Sequence, residues 1–398
     1  MFLAGIRILA VEQYGAGPFG TQYLSEMGAE VIKIENPRDG GDVSRNVGPH
    51  FVDALPETAQ SVFYQGLNRG KKSLTLDLSV PAGRAVFGRL AASAHAVASN
   101  LRGDVPERLG LTYCQMSAVN PAIVCAHLTG YGRTGERAKW PGYDYLMQAE
   151  AGYFSLTGEP DTPPTRMGLS MIDYMTGALM ALGLTSALVR AMRTGVGGDV
   201  DVSLFDVAVH NLNYVGNWFL ASGEQTGRAP RSAHPSLTPC QSYKTRDGWI
   251  YLMCNKEKFW ATLCRKIGRE AWIDDPRFVA FPQRLQHRAM LTTLLDETLS
   301  ARTTAEWLKV FAGSVPASPI LSVGEALSTP YVTAGNGIEE CALPDGAALR
   351  LLRGPIRTDE SGPPLALAPR LGEHTAALLE EAGFSGEECA ALRADGVI

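Results

Sequence analysis

Short apolar runs alternate with longer amphipathic stretches over the first half of this chain. Apolar runs of roughly four to eight residues are typical of strands buried in a parallel sheet, and helical patterns separate them here. The clearest helical patterns cover 81–94, which begins with a proline, and 173–193. This alternation predicts an α/β fold in which helices cover both faces of a parallel sheet. The strand-like runs lie at 6–13, 31–35, 73–78, 96–100, 122–132 and 200–204.

The composition of the sequence changes near residue 222, where the segment SGEQTGRAPRSAHPSLTPCQ is rich in Gly, Ser and Pro. Such a composition is typical of a linker. Two strand-like runs then flank Asp247 and Gly248, a dipeptide typical of β-hairpin turns, and helical patterns follow at 256–268 and 287–313. We therefore predict a large domain, a linker and a smaller α+β domain, covering respectively 1–195 plus 330–398, 196–224 and 225–325.

Composition narrows the functional classes. Hydrophobic residues make up 45% of the chain and charged residues 19%, as in ordinary soluble proteins. The net charge of −5 argues against nucleic acid as the main partner. No run approaches the roughly 18 apolar residues that a membrane helix requires. The seven cysteines are scattered and form no C-x-x-C pair, which favours reduced thiols in the cytoplasm over disulfides or a metal site.

A glycine motif follows the first strand-like run, in ILAVEQYGAGPFG, with Gly15, Gly17 and Gly20. Glu35 ends the next apolar run, VIKIE. A strand, a Gly-x-Gly-x-x-Gly turn, a helix, a second strand and an acid are together typical of a dinucleotide site, where the acid binds a ribose. Two interpretations stay open from these residues alone: an NAD-dependent oxidoreductase, and a tight turn without a ligand.

Basic residues accompany the predicted strands. Arg38 and Arg45 lie in the Gly-rich loop after Glu35, where arginine favours a phosphate over a ribose. Two further turns are also basic, one before the 73–78 strand and one after the 96–100 strand. Repeated basic turns at one edge of a sheet indicate a polyphosphate ligand. The residues of these two turns are Arg69, Lys71, Lys72, Arg102 and Arg108.

Ordered blocks along nearly the whole chain resemble the class III coenzyme A transferases, the family of formyl-CoA transferase, crotonobetaine CoA-transferase and α-methylacyl-CoA racemase. The resemblance implies a Rossmann-like large domain that binds coenzyme A (CoA), and an interlocked homodimer. It implies acyl-CoA and small carboxylic acids as substrates, with no tightly bound cofactor and no metal. The blocks include VIKIENPRDGGDVSR, LNRGKKSLTLDL, SNLRGDVPERLGLTY, PGYDYLMQAEAGYFSLTGEP, GLSMIDYMTGALMALGL and GGDVDVSLFDVAV.

The resemblance also implies roles for individual residues. The family's nucleophile falls on Asp173, whose carboxylate would form a mixed anhydride and then an aspartyl-CoA thioester. Asp173 is the first residue of its predicted helix, where the helix dipole favours an anion; an ordinary N-cap aspartate is the alternative. The family's CoA contacts fall on Gly15, Ala16, Arg38, Leu67, Asn68, Lys71, Asn100, Leu101, Arg102 and Arg108.

Tyr143, Asp144 and Gln13 are candidates for the acyl site. Tyr143 stands where the racemases have a histidine base, and a phenol with a pKa near about 10 is a poor base at neutral pH. The resemblance therefore favours a CoA-transferase over an acyl-CoA racemase. Arg166 could hold the second carboxylate of a dicarboxylate such as succinate, and His234 could contact the acyl group; ordinary loop roles are the alternatives. A catalytically silent CoA-binding subunit of a hetero-oligomer is a further alternative.

Overall fold

A six-stranded parallel sheet forms the centre of the computed structural model, which describes residues 1–335, 337–357 and 366–398. Its strand order is β3-β2-β1-β4-β5-β6, and every neighbouring pair is parallel. The predicted mixed α/β fold with a parallel sheet is confirmed. The strands are β1 (Arg7–Val11), β2 (Glu30–Glu35), β3 (Lys72–Thr75), β4 (Ala96–Ser99), β5 (Val124–Thr129) and β6 (Gly198–Ser203).

Helices connect these strands and continue through the rest of the chain. The predicted helix at 81–94 spans Pro81–Ala91, with Pro81 in its first turn, and the helix at 173–193 spans Met171–Thr194. The helices are α1 (Ala16–Glu26), α2 (Val62–Asn68), α3 (Pro81–Ala91), α4 (Val105–Leu109), α5 (Tyr113–Met116), α6 (Asp144–Glu150), α7 (Met171–Thr194), α8 (Leu204–His210), α9 (Asn213–Ser222), α10 (Glu257–Lys266), α11 (Phe281–Gln286), α12 (Arg288–Leu299), α13 (Thr304–Phe311), α14 (Val323–Leu327), α15 (Pro330–Ala334), α16 (Thr375–Glu381) and α17 (Gly386–Ala394).

The chain divides into two compact units. The first unit comprises 1–151, 168–213 and 331–398, and the second comprises 152–167 and 214–330. Residues 198–222, which fall in the predicted linker, form β6, α8 and α9 rather than an extended connection. The exact domain boundaries stay a prediction.

The core of the first unit lies against the sheet. Strands β1, β2 and β4 are buried on both faces, as expected of parallel strands between helices. The C-terminal segment returns to this core, because Leu378, Leu379 and Val397 pack in the same cluster as the strands. A hairpin of β10 (Ile338–Ala342) and β11 (Ala348–Leu352), which the sequence pattern did not predict, also belongs to this unit.

The second unit contains a three-stranded antiparallel sheet covered by helices. Its strands are β7 (Cys240–Lys244), β8 (Trp249–Met253) and β9 (Ala317–Pro319), and Asp247 and Gly248 lie in the turn between β7 and β8. The hairpin predicted there is confirmed. Buried aromatic residues dominate the core, among them Tyr243, Trp260 and Phe278.

Within the first unit, a buried arginine bonds the returning C-terminal segment to the N-terminal part of the chain. Arg45 is 1% exposed and donates to the carbonyl of Pro369 at 3.0 Å. It also pairs with Glu35 at 2.6 Å and bonds the hydroxyl of Tyr64 at 2.6 Å. The two side chains expected to bind a ribose and a phosphate, Glu35 and Arg45, are thus buried and bonded to each other.

Helices α1 and α7 cross in close backbone contact within the first unit. A Cβ on Gly20 would lie closer than 3.0 Å to the carbonyl oxygen of Gly177. A Cβ on Gly177 would likewise lie closer than 3.0 Å to the carbonyl oxygen of Ala16. Real Cβ atoms do not approach backbone this closely, so both positions require glycine. The crossing therefore fixes the first turn of α7 beside the first turn of α1.

Length and composition alone would allow one helix among the described residues, α7, to cross a membrane. Its buried side chains include Ile172, Met180, Leu184 and Leu188, and it packs against α1 and β5. These contacts are those of a core helix.

We expect Gly177→Ala to destabilise the protein by about 1–3 kcal/mol, since the added methyl group overpacks the crossing of α1 and α7. Gly88→Ala is the matched control, because Gly88 lies in α3 and its Cβ would meet nothing within 4 Å. That variant should be as stable as the wild type, or more stable by up to about 1 kcal/mol, since alanine favours helix. Urea denaturation measures both. Equal effects of the two substitutions would contradict the assigned crossing.

Candidate active site

A cleft opens where the strand order reverses direction. β1 and β4 are neighbours, while their connections run to opposite sides of the sheet, and ligands of open α/β sheets bind at such a point. The cleft has a volume of about 450 Å³. Its lining comes from the ends of β1, β4 and β5 and the starts of α1 and α7. Lining residues include Gln13, Gly15, Ala16, Asn100, Leu101, Arg102, Arg108, Thr129, Gly130, Tyr143 and Asp173.

Asp173 lies in the first turn of α7 at the base of this cleft. It is only 7% exposed. In the described part of the chain we find no hydrogen-bond donor to its carboxylate. Burial, with a smaller contribution from the nearby carboxylate of Asp144, raises the pKa of Asp173 from 3.8 to about 7. The side chain can therefore exchange between acid and carboxylate near neutral pH.

Asp144 holds the start of α7 in place. Its Oδ2 accepts a hydrogen bond from the backbone N–H of Asp173 at 2.9 Å. Gln148, one turn along α6, donates to Oδ1 of Asp144 at 2.6 Å and to the carbonyl of Leu169 at 3.1 Å. A carboxylate that accepts a free N–H at a helix start is a capping interaction. Asp144 is 4% exposed and does not line the cleft, so it contacts Asp173 from the buried side.

The turn between β1 and α1 is held from both sides. The side chain of Asn100 donates to the carbonyl of Gln13 at 2.6 Å and accepts from the N–H of Gln13 at 2.9 Å. On the other side, Asp42 accepts from the N–H of Tyr14 at 2.9 Å, and Lys33 pairs with Asp42 at 2.7 Å. Tyr14 has a φ of 66°, which is uncommon for a residue with a side chain. These contacts fix the turn, so Asn100 is a positioning residue as well as part of the cleft wall.

Lys71 does not face the cleft, contrary to the prediction that it contacts CoA. Its Nζ is buried and bonded to Glu12 at 2.8 Å, to the carbonyl of Pro18 at 2.9 Å and to Asn68 at 3.1 Å. Burial lowers the pKa of Lys71 to about 8, against the opposing effect of Glu12. Leu67 and Asn68 are buried in the same region. The structure therefore does not bring this predicted group to the cleft.

A second, smaller cleft of about 320 Å³ adjoins the first. The two share Gln13, Leu101, Val105 and Arg108. Arg38 is exposed beside the second cleft and pairs at 3.1 Å with Asp77, which lines it. Of the predicted CoA residues, six line the first cleft and Arg38 lies beside the second. The six are Gly15, Ala16, Asn100, Leu101, Arg102 and Arg108.

The predicted acyl-site residues differ in position. Tyr143 is 61% exposed at the wall of the first cleft, Gln13 lines both clefts, and Asp144 is buried behind Asp173. Arg166 donates to the carbonyl of Met167, and His234 stacks on Tyr214; both belong to the second unit. In residues 1–335, 337–357 and 366–398 we find no group of three or more His, Cys, Asp or Glu that could hold a metal ion.

Comparison with known proteins identifies the family. The sequence model of the protein family described as CoA-transferase family III matches residues 3–375. The chain is 35% identical to succinate--glutarate CoA-transferase of Agrobacterium fabrum and covers 95% of each chain. It is 34% identical to acetyl-CoA:oxalate CoA-transferase of Acetobacter aceti, again over 95% of each. A crystal structure of a CAIB/BAIF family protein from Brucella suis superposes with a TM-score of 0.81 at 33% identity, covering 95% of this chain and 98% of that one.

The raised pKa of Asp173 predicts a pH-dependent difference in stability between the wild type and Asp173→Asn. An acid whose pKa is higher when folded binds its proton more tightly in the folded state, so the wild type loses stability as the pH rises from about 4 to 7. The asparagine variant lacks this loss. The variant should gain on the wild type by as much as about 4 kcal/mol across that range. Urea denaturation at a series of pH values measures the difference, and a constant difference would contradict the raised pKa.

Proposed function

The chain belongs to CoA-transferase family III and is a CoA-transferase, and we propose that it moves CoA from an acyl-CoA to a free carboxylic acid with Asp173 as the nucleophile. The observation that supports this role is the buried carboxylate of Asp173 at the base of the cleft, which belongs to the first turn of α7 and lies beside the turn after β1.

In the first half of the proposed reaction, a carboxylate oxygen of Asp173 attacks the thioester carbonyl carbon. A carbon–oxygen bond forms, the carbon–sulfur bond breaks, and CoA leaves as a thiolate. The thiolate then attacks Cγ of Asp173 and releases the donor acid as its carboxylate, leaving an aspartyl-CoA thioester. The acceptor acid repeats both steps in reverse. Dividing the transfer in this way replaces one difficult substitution by easier ones.

The environment of Asp173 suits both halves of this cycle. A desolvated carboxylate without hydrogen-bond donors is a stronger nucleophile than a solvated one, and burial excludes the water that would hydrolyse the anhydride. Its pKa of about 7 keeps a large fraction ionised at neutral pH. Asp144, which contributes to that pKa, also bonds the backbone of the nucleophile, so it is a positioning residue.

We place CoA along the two adjoining clefts. The pantetheine arm would enter the first cleft and end at Asp173, while the nucleotide would occupy the second cleft beside Arg38. Arg108 lines both clefts and Arg102 lines the first, where their guanidinium groups could meet the phosphates. Leu76, Leu78 and Leu101 give the second cleft the apolar walls that a purine ring requires.

Small dicarboxylates are the substrates that we propose, succinate foremost. The names of two relatives support this class, since one mentions succinate and glutarate and the other mentions oxalate. Racemisation has no comparable support: among the described residues that line the first cleft there is no histidine to act as a base, and Tyr143 stands at its wall.

We further propose that two copies of the chain form a homodimer. Helix α9 has no buried residue in the single chain, although it carries large apolar side chains. Trp218, Phe219 and Leu220 are 39%, 45% and 82% exposed. Uncovered aromatic and apolar side chains on one short helix are typical of an interface. A monomeric mass in solution, measured by light scattering, would contradict this proposal.

Asp173→Ala should abolish CoA transfer and the formation of a covalent adduct. The wild type, incubated with succinyl-CoA and then hydroxylamine, should yield a hydroxamate in peptide 167–190, detected by mass spectrometry. A drop in transfer rate of about 10³-fold or more is expected on removal of a covalent nucleophile. Asp144→Asn is the comparison: it retains the nucleophile and should keep measurable trapping. Undiminished transfer by Asp173→Ala would overturn the mechanism.

Arg108→Ala should weaken CoA binding, because a hydrogen bond to a charged group contributes about 1.5–3 kcal/mol, or roughly 10- to 100-fold in affinity. Arg193→Ala is the control for net charge, since Arg193 lies in the last turn of α7 and lines neither cleft. Isothermal titration with CoA measures both variants. Similar affinities in the two variants would contradict the placement of CoA.

A further inference from the structure

Gly15 occupies a position where its backbone does not require glycine. It is the N-cap of α1, with φ of −106° and ψ of −66°, which residues with side chains also adopt. N-cap positions favour serine, threonine, aspartate or asparagine, whose side chains accept a backbone hydrogen bond. No side-chain cap is present at the start of α1. The absence of a side chain at position 15 therefore needs another explanation.

The space that a side chain would fill lies against the nucleophile. A Cβ built on Gly15 would lie 3.0 Å from Oδ2 of Asp173 and 3.9 Å from its Cγ. Ordinary contacts of Cβ atoms begin near 3.4 Å, so even alanine would force the carboxylate to move. The crossing at Gly20 and Gly177 holds the backbone of α7 against α1, so the carboxylate would have to turn about its own side-chain bonds. Gly15 thus keeps the side of the cleft next to Oδ2 of Asp173 free of a side chain.

We propose that the missing side chain of Gly15 leaves room for the group that becomes attached to Asp173. This inference rests on the proposed function. Attack by the carboxylate forms a bond from its oxygen to the acyl carbon as the thiolate leaves; attack by the thiolate then bonds sulfur to Cγ as the donor carboxylate leaves. Each adduct places new heavy atoms within bonding distance of the carboxyl group. The open side next to Gly15 is part of the same cleft.

The backbone at the start of α7 is packed against other residues. The backbone N–H of Asp173 is bonded to Asp144, which is itself buried and bonded to Gln148. The next residue, Tyr174, packs on Phe19 with ring centroids 4.5 Å apart. The cleft that Gly15 and Asp173 both line is therefore the space in which we expect the adduct.

The test compares wild type, Gly15→Ala, Gly15→Val and the control Gly88→Ala. Each is mixed with succinyl-CoA, and the rate of adduct formation on peptide 167–190 is followed by mass spectrometry. CoA affinity is measured separately by calorimetry. We expect adduct formation to fall about tenfold or more in Gly15→Ala and further in Gly15→Val, and in each variant by a larger factor than CoA affinity falls. Gly88→Ala should match the wild type.

Adduct formation at the wild-type rate in both Gly15 variants would overturn the proposal, as would an equal loss of CoA affinity and rate. If either variant fails to fold, the structure of the trapped wild-type adduct tests the proposal. Trapped atoms within about 4 Å of the Gly15 Cα would support the proposal, and an adduct directed away from Gly15 would overturn it. Absence of any adduct in the wild type would instead overturn the proposed function, and this inference with it.

Discussion

The close crossing of α1 and α7 is the constraint on which the site depends. The backbones of the two helices are in contact at Gly20 and Gly177, and any side chain at either position would push the helices apart. This contact places the first turn of α7, with Asp173, beside the turn that follows β1. The topology of the sheet opens a cleft at the same place, between β1 and β4. A carboxylate and a ligand groove are thus joined by helix packing rather than by a flexible loop.

Buried charge maintains this arrangement. Lys33 and Lys71 are paired with Asp42 and Glu12; Lys33 also donates to the carbonyl of Glu12 in the turn, and Lys71 to that of Pro18 in the first turn of α1. A buried charge is tolerated only when it is paired and hydrogen-bonded, so the network defines one conformation of the turn. Asp173 is the contrast. In the part of the chain that the structure describes its carboxylate has no such partner, and burial raises its pKa, which costs folding stability at neutral pH.

The fold was largely predictable from the sequence, because short apolar runs and one long helical pattern determine a parallel sheet with crossover helices. The positions of Asp173, Gly15 and Arg108 at one cleft also followed from family resemblance. The burial of Lys71, Glu35 and Arg45 could not be predicted, because a charged residue near a strand end looks the same in sequence whether it faces solvent or a buried partner. Asn100 was expected to bind a ligand, and its bonds to Gln13 depend on contacts between distant segments. The hairpin of β10 and β11 does carry a turn signal, Pro344-Asp345-Gly346, and the prediction overlooked it.

The central claim is that the carboxyl group of Asp173 exchanges atoms with the substrates, and isotope transfer tests it most directly. In the proposed cycle one oxygen of the acceptor acid bridges the mixed anhydride and remains on Asp173 when the new thioester leaves. Peptide 167–190 contains Asp173 as its single acidic side chain. After turnover with an acceptor acid that carries heavy oxygen in its carboxyl group, in ordinary water, this peptide should gain the heavy isotope. Transfer of CoA without any isotope in the peptide would contradict the account.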